Sequence, residues 1–264
     1  MIQVQHLVAK YEDRVILNDI SFDVHRGERF VIVGGSGCGK TTLLRHLIGL
    51  QRPASGRVLI DGADVAAAGE DELRTIQRKF GMLFQNGALF GSLTLGENVA
   101  LPLEEYTALP REMIQLLVRI KLNMVNLGGF EEFMISELSG GMKKRAGLAR
   151  AVALDPSILF FDEPSAGLDP ITSAELDELI VQLNRSLGTT IVVVSHELAS
   201  IYTIADRVIM LDGGAKGIIA SGDPRGLREQ HDDPRVHAFF NRQPRPAHDR
   251  PHGGINPPAS GSAV

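Results

Sequence analysis

The stretch Gly34-Gly35-Ser36-Gly37-Cys38-Gly39-Lys40-Thr41-Thr42 has the spacing G-x-x-x-x-G-K-[ST] and directly follows the apolar run Arg29-Phe30-Val31-Ile32-Val33. Its glycines let the backbone wrap so that successive N–H groups point inward at phosphate oxygens, and Lys40 adds a full positive charge near the terminal pair. Thr41 places a hydroxyl where it can ligate Mg²⁺. Thr42 to Ile48 reads as a helix whose N-terminus contributes about half a positive charge to the same anion. A plain turn between a strand and a helix has no need of Lys-Thr at its end. The stretch therefore reads as a site for a nucleoside triphosphate.

Cys38, inside this loop, is the single cysteine of the chain. An internal disulfide is excluded, which suits a reducing compartment, and the side chain matters there for its size. The 264 residues are 44% hydrophobic and 22% charged, the composition of a folded globular protein. A formal net charge of -5 argues against a nucleic-acid binder that works by bulk attraction to phosphates. No apolar run is long enough to cross a bilayer, and Met1 to His6 lacks the basic start and apolar core of a secretion signal. The chain is expected in the cytoplasm.

Upstream of the loop, Gln3 to Val8, Val15 to Leu17 and Ser21 to Val24 are β-rich runs, expected to form a small antiparallel sheet. Downstream, Gly56 to Ile60 reads as a strand ended by the Asp61-Gly62 turn, and Phe80 to Phe84 as a strand ending at Gln85. From there to Glu137 the pattern is helical, with Met113, Ile114, Leu116, Leu117 and Ile120 as the apolar face of one helix. Ser157 to Phe161 and Thr190 to Val194 are uncharged runs, as expected of buried parallel strands. Between them Thr172-Ser173-Ala174-Glu175 has capping-box spacing, and Leu176, Leu179, Ile180, Leu183 and Leu187 recur at helical intervals before Gly188. This order implies a right-handed crossover in a parallel sheet. From Asn241 onward the chain is too poor in apolar residues to fold alone and reads as a flexible tail, with His248 and His252 solvated rather than metal-binding. His231 and His237, beside Asp232 and Asp233, are read in the same way.

The strand ending at Phe161 delivers Asp162 and Glu163 to its C-terminal end, where ligands collect in open parallel sheets. Asp162 is placed to hold Mg²⁺, directly or through water, and Glu163 to orient or deprotonate an attacking water. Leu138-Ser139-Gly140-Gly141-Met142 precedes the helical run Lys143 to Leu154, so its serine and glycines form a second anion-binding surface at a helix N-terminus. One nucleotide has one γ-phosphate, yet the chain offers two phosphate-binding loops.

With these segments in this order, the chain resembles the ATPase subunits of ABC transporters, over roughly residues 1 to 230. Leu138 to Met142 corresponds to the family signature, with Met142 where Gln is frequent; the phosphate contacts are expected from Ser139 and the backbone. The resemblance implies that the signature of one subunit completes the ATP site of another, in a head-to-tail dimer holding two ATP molecules. It also implies that Tyr11 stacks on adenine, that Gln85 reaches Mg²⁺ and the attacking water, and that His196 contacts the γ-phosphate. Ser165 to Asp169 corresponds to the loop that crosses between subunits. The implied fold is α/β: a P-loop NTPase core with a mainly parallel sheet, an N-terminal antiparallel β-subdomain and an inserted α-helical subdomain at about 86–153. Residues 1–240 form the ATP-binding domain and 241–264 the tail.

Phe84-Gln85-Asn86-Gly87-Ala88-Leu89-Phe90, the signature, and Gly167-Leu168-Asp169-Pro170-Ile171-Thr172 are together similar to segments of the Mla and Mce lipid-transport ATPases. That resemblance implies phospholipid transport between bacterial envelope membranes. It further implies permease subunits in the inner membrane as partners, a Mce-type lipid-binding protein in the complex, and a peripheral place on the cytoplasmic face. Asp233 to Phe240 resembles a C-terminal segment that packs on the partner ATPase in that subfamily; a helix docking on its own domain through Val236, Phe239 and Phe240 is the alternative. An importer of small polar nutrients and a soluble non-transport ATPase also stay open. The insert is too short for the coiled coil of a repair ATPase, and one phosphate loop is too few for a two-module translation factor.

Overall fold

The computed structural model describes residues 1–230 and 232–244. Strands β1 (Ile2–Tyr11) and β2 (Arg14–Val24) pair antiparallel. The two runs expected at Val15–Leu17 and Ser21–Val24 are one strand, because the polar Asn18-Asp19 break is a bulge, with Asp19 at φ 55°. β4 (Ser55–Ile60) lies on the other side of β1, and β5 (Ala63–Asp64) returns after the Asp61-Gly62 turn, giving the order β2-β1-β4-β5.

The second sheet has the order β10-β9-β3-β8-β7-β6, in which β3 (Arg29–Gly34), β6 (Phe80–Leu83), β7 (Ile158–Asp162), β8 (Thr190–Val194) and β9 (Arg207–Asp212) run parallel. Only β10 (Gly217–Gly222), paired with β9, is antiparallel. The three central strands are buried on both faces, and alternate side chains enter different cores. Val31, Val33, Leu159, Phe161, Ile191 and Val193 join one core. Phe30, Ile32, Ile158, Phe160, Val192 and Val194 join the other, beneath α1 (Lys40–Leu47) and the antiparallel sheet.

The first of these cores continues into the inserted helices. After α2 (Glu70–Gln77) and β6 come α3 (Leu95–Tyr106), started by a Thr94–Glu97 capping box, then α4 (Arg111–Met124) and α5 (Gly140–Ala151). The buried stripe of α4 is Ile114, Val118 and Leu122, with Lys121 turned in to pair with Asp155. Met113, Leu116 and Ile120, expected on the inner face, are 44–52% exposed. The i, i+4, i+8 row is the one buried in the core, with Leu117 of the expected face partly buried against it.

α6 (Pro170–Leu187) also starts earlier than its expected box at 172–175. Asp169 is the N-cap, accepting from the Ile171 and Thr172 backbone N–H groups at 3.1 Å, with Pro170 at the first helical position. Glu175 instead pairs with Arg145 of α5. Gly188, at φ 64°, ends the helix as expected. α5 likewise begins at Gly140 rather than Lys143, capped by Ser139.

After α7 (Leu198–Ile204) and α8 (Pro224–Gln230), α9 (Pro234–Phe240) docks on its own chain. Val236 and Phe240 enter the first core, and the Tyr202 hydroxyl donates to the Phe240 carbonyl at 3.1 Å. Asn241 and Gln243 of the expected tail bond back to α9 through their backbone N–H groups. His231, His248, His252 and residues 245–264 lie outside the described residues. Among the described residues, no helix is long and apolar enough to cross a membrane.

Candidate active site

Because β3, β6, β7, β8 and β9 run parallel, their C-terminal ends share one edge of the sheet. The 34–42 loop leaves β3 there. Gln85 follows β6, Asp162 and Glu163 end β7, and Ser195 and His196 follow β8. Segments more than a hundred residues apart in sequence are thereby brought together.

Gly34, at φ 149°, is required by a close approach: a Cβ there would sit 2.4 Å from the Leu211 carbonyl and 2.6 Å from Cys38 Sγ. Gly35 is partly exposed, while Ser36 and Gly37 are exposed at the loop tip. Cys38 is buried, and burial pushes its thiol pKa up, which fits a packing role. Gly39, at φ 103°, begins α1 without a side-chain cap, so the helix N-terminal N–H groups are left for a ligand. The buried Lys40 ammonium donates to the Gly34 and Gly35 carbonyls at 3.0 and 3.2 Å, closing the loop on itself. Thr41 donates to Asp162 Oδ1 at 3.4 Å. Tyr11 is 41% exposed at the end of β1 and donates to Gln51 Oε1 at 3.1 Å; the Thr42 side chain, then that of Gln51, hold its phenol below the usual range.

Burial first, then the neighbouring Glu163 charge, raises the pKa of Asp162. Two carboxyls and a hydroxyl on adjoining strand and helix ends are hard oxygen donors that a divalent cation would relieve. Glu163 is held at φ 48°, a conformation that costs a non-glycine residue on the order of 1 kcal/mol. Its N–H donates to the Val194 carbonyl at 2.9 Å, and its Oε1 lies 2.8 Å from His196 Nδ1. With the proton on Nδ1, His196 orients the carboxylate.

Ser139 and Gly140 are exposed and Gly141 is partly exposed at the start of α5, where Ser139 Oγ accepts from the Met142 N–H at 3.3 Å. Among the described residues, no hydrogen bond or ion pair joins this N-terminus to residues 34–42. The Gln85 side chain is exposed, while its carbonyl accepts from Lys144 of α5.

Sequence reasoning missed Lys144, a residue only 7% exposed whose ammonium also reaches the Glu163 carbonyl at 3.4 Å. Burial lowers its pKa, opposed by the charges of Glu197, Asp162 and Glu163. Arg150 was missed as well; it donates to the Ala88 and Gly87 carbonyls at 2.8 and 2.9 Å. A groove of about 580 Å³ opens beside this loop, lined by Arg78, Phe84, Leu101, Tyr106 and Arg150 among others. Phe84 and Phe90 are exposed, whereas Leu95 and Val99 fill the core.

The sequence profile described as "ABC transporter" matches residues 17–166. Over 229 residues the chain is 45% identical to the intermembrane phospholipid transport system ATP-binding protein MlaF of Escherichia coli K12, covering 87% of this chain and 84% of that protein. It is 43% identical over 240 residues to the probable ribonucleotide transport ATP-binding protein mkl of Mycobacterium leprae, covering 91% of this chain and 68% of that one. A dimeric ATP-binding cassette solved in a post-hydrolysis state with ADP and Pi is similar at a TM-score of 0.77 and 31% identity, covering 84% of this chain and 98% of that structure.

Proposed function

The chain belongs to the ABC transporter family as an ATP-hydrolysing subunit, and from that premise we propose that it powers phospholipid movement between bacterial envelope membranes. The observation that carries this reading is the 45% identity to MlaF over 84% of that protein's length. The chain works as a head-to-tail pair, peripheral on the cytoplasmic face of the inner membrane, with permease subunits docked on the groove beside Phe84. A Mce-type lipid-binding protein belongs to the same complex.

In this reading Lys40 exchanges the uncharged carbonyls of Gly34 and Gly35 for anionic phosphate oxygens, so that both donor and acceptor carry charge. The backbone N–H groups of Gly35 to Thr42 hold the remaining charge. Tyr11 stacks on the adenine. Thr41, Asp162 and Gln85 hold Mg²⁺, which when bound neutralises charge on the phosphates. Glu163 accepts the proton of the attacking water, with His196 keeping its carboxylate aimed, as the bond to the γ-phosphoryl group breaks and ADP and phosphate form. Ser139, Gly140 and Gly141 contact the nucleotide of the other subunit, consistent with their exposed place at the start of α5.

Similarity to a protein named for ribonucleotide transport favours a second cargo. Purifying the full complex from membranes and reconstituting it between labelled vesicles separates the two. ATP-dependent transfer of phospholipid is expected; ribonucleotide uptake without lipid transfer would overturn the lipid reading.

A further inference from the structure

Three consecutive cations, Lys143, Lys144 and Arg145, follow the start of α5, and they do not share one environment. Arg145 pairs with Glu175 at the surface between α5 and α6. Lys144 alone of the three is buried, at 7% exposure. A buried ammonium is costly unless its hydrogens are used. Here they go to two main-chain carbonyls, those of Gln85 and Glu163.

These acceptors belong to loops that leave different strands, β6 and β7, and carry two groups assigned to the attacking water. α5 is already held tightly to the first loop. A Cβ on Gly147 would meet Leu83 Cδ1 at 2.7 Å and the Gly87 carbonyl at 3.3 Å, and Arg150 clamps the Gly87 and Ala88 carbonyls. Arg150 does not extend to the second loop; Lys144 does. At Glu163 the contact falls on a residue whose positive φ must be held from outside. Its carbonyl accepts from the Ala166 N–H at 3.2 Å as well as from Lys144, so both neighbours fix the turn that aims the carboxylate.

We propose that Lys144 is a positioning residue that makes one rigid unit of the Gln85 loop, the Glu163 turn and the helix whose N-terminus presents Ser139. The inference rests on the hydrolytic roles given above to Glu163 and Gln85. Its consequence is that the helix engaging one nucleotide sets the geometry of hydrolysis at the other. Any displacement of α5 by the partner's nucleotide moves the Gln85 loop with it, and the Lys144 ammonium carries that movement on to the Glu163 turn.

The test compares Lys144→Met with Lys144→Arg in the full chain. The methionine variant should lose about tenfold to hundredfold in kcat, the scale of a small misplacement of reacting groups, with KM and nucleotide affinity changed less than about twofold. Lys144→Arg should recover most of the rate. In nucleotide-free protein, the methionine variant should also show faster amide hydrogen exchange at residues 84–88 and 163–167. Normal kcat in Lys144→Met, or loss of nucleotide affinity that arginine does not restore, would overturn the proposal. Should the methionine variant not fold, Lys144→Gln carries the same readings. Glu163→Gln, run in parallel, separates the premises: normal turnover in that variant removes the hydrolytic assignment itself, whatever Lys144 does.

Discussion

Asp177 lies on α6 at 2% exposure, with Oδ1 lacking a hydrogen-bond partner among the described residues. Burial raises its pKa to about 6; the Ser200 hydroxyl beside it opposes that shift, and the Glu197 charge adds to it. The folded state therefore holds this proton more tightly than the unfolded chain, so stability falls as pH rises from about 4 to about 6. From the model-compound value of 3.8 to about 6, at ~1.4 kcal/mol per tenfold change in proton affinity, the loss is roughly 3 kcal/mol. Asp177→Asn removes the titration and should raise the melting temperature at pH 8 much more than at pH 4. An equal gain at both values would mean that the carboxyl is not titrating in that window. Neither this residue nor Lys144 is legible in sequence. Lys143-Lys144-Arg145 drew no expectation beyond its place in a helical run, and only the close approach of α5 to the Gln85 loop decides which cation turns inward. The loop residues, Asp162 and Glu163 drew their expectations from short contiguous segments next to recognisable strands, whereas His196 drew one only through the family resemblance.

At the scale of elements, the C-terminal helix gives the clearest energetic prediction. Phe240 is 2% exposed in the first core, stacked edge-on to Phe239 at 5.2 Å. Phe240→Ala should lower the free energy of unfolding by about 3–5 kcal/mol, measured by denaturant titration. A loss under about 1 kcal/mol would mean that α9 does not belong to this core. The central strands were readable because a parallel strand covered on both faces has to be continuously apolar. The helix starts were less so. At α6 the Asp169-Pro170 pair outcompetes the box spacing two residues later, since proline at the first helical position needs no N–H acceptor. At α4 two apolar rows exist, and periodicity alone does not say which one meets the core. Strands β9 and β10, which complete the sheet beyond β3, drew no expectation although Val208 to Leu211 are buried.

For the whole molecule, the arrangement fits one half of the proposed composite site. The 34–42 loop, Asp162, Glu163 and His196 gather at one edge of the sheet, while the Ser139 helix N-terminus stands exposed without a described bond to that loop. The family and its order of motifs were legible in the chain; the head-to-tail pairing rests on the resemblance alone, because no single segment carries both sides of such an interface. The most direct test is the molar mass of the Glu163→Gln variant in solution by light scattering, with MgATP, with MgADP and without nucleotide. ATP alone should double the mass, and adding Lys40→Ala should abolish the effect. A mass unchanged while ATP is demonstrably bound would contradict the composite site.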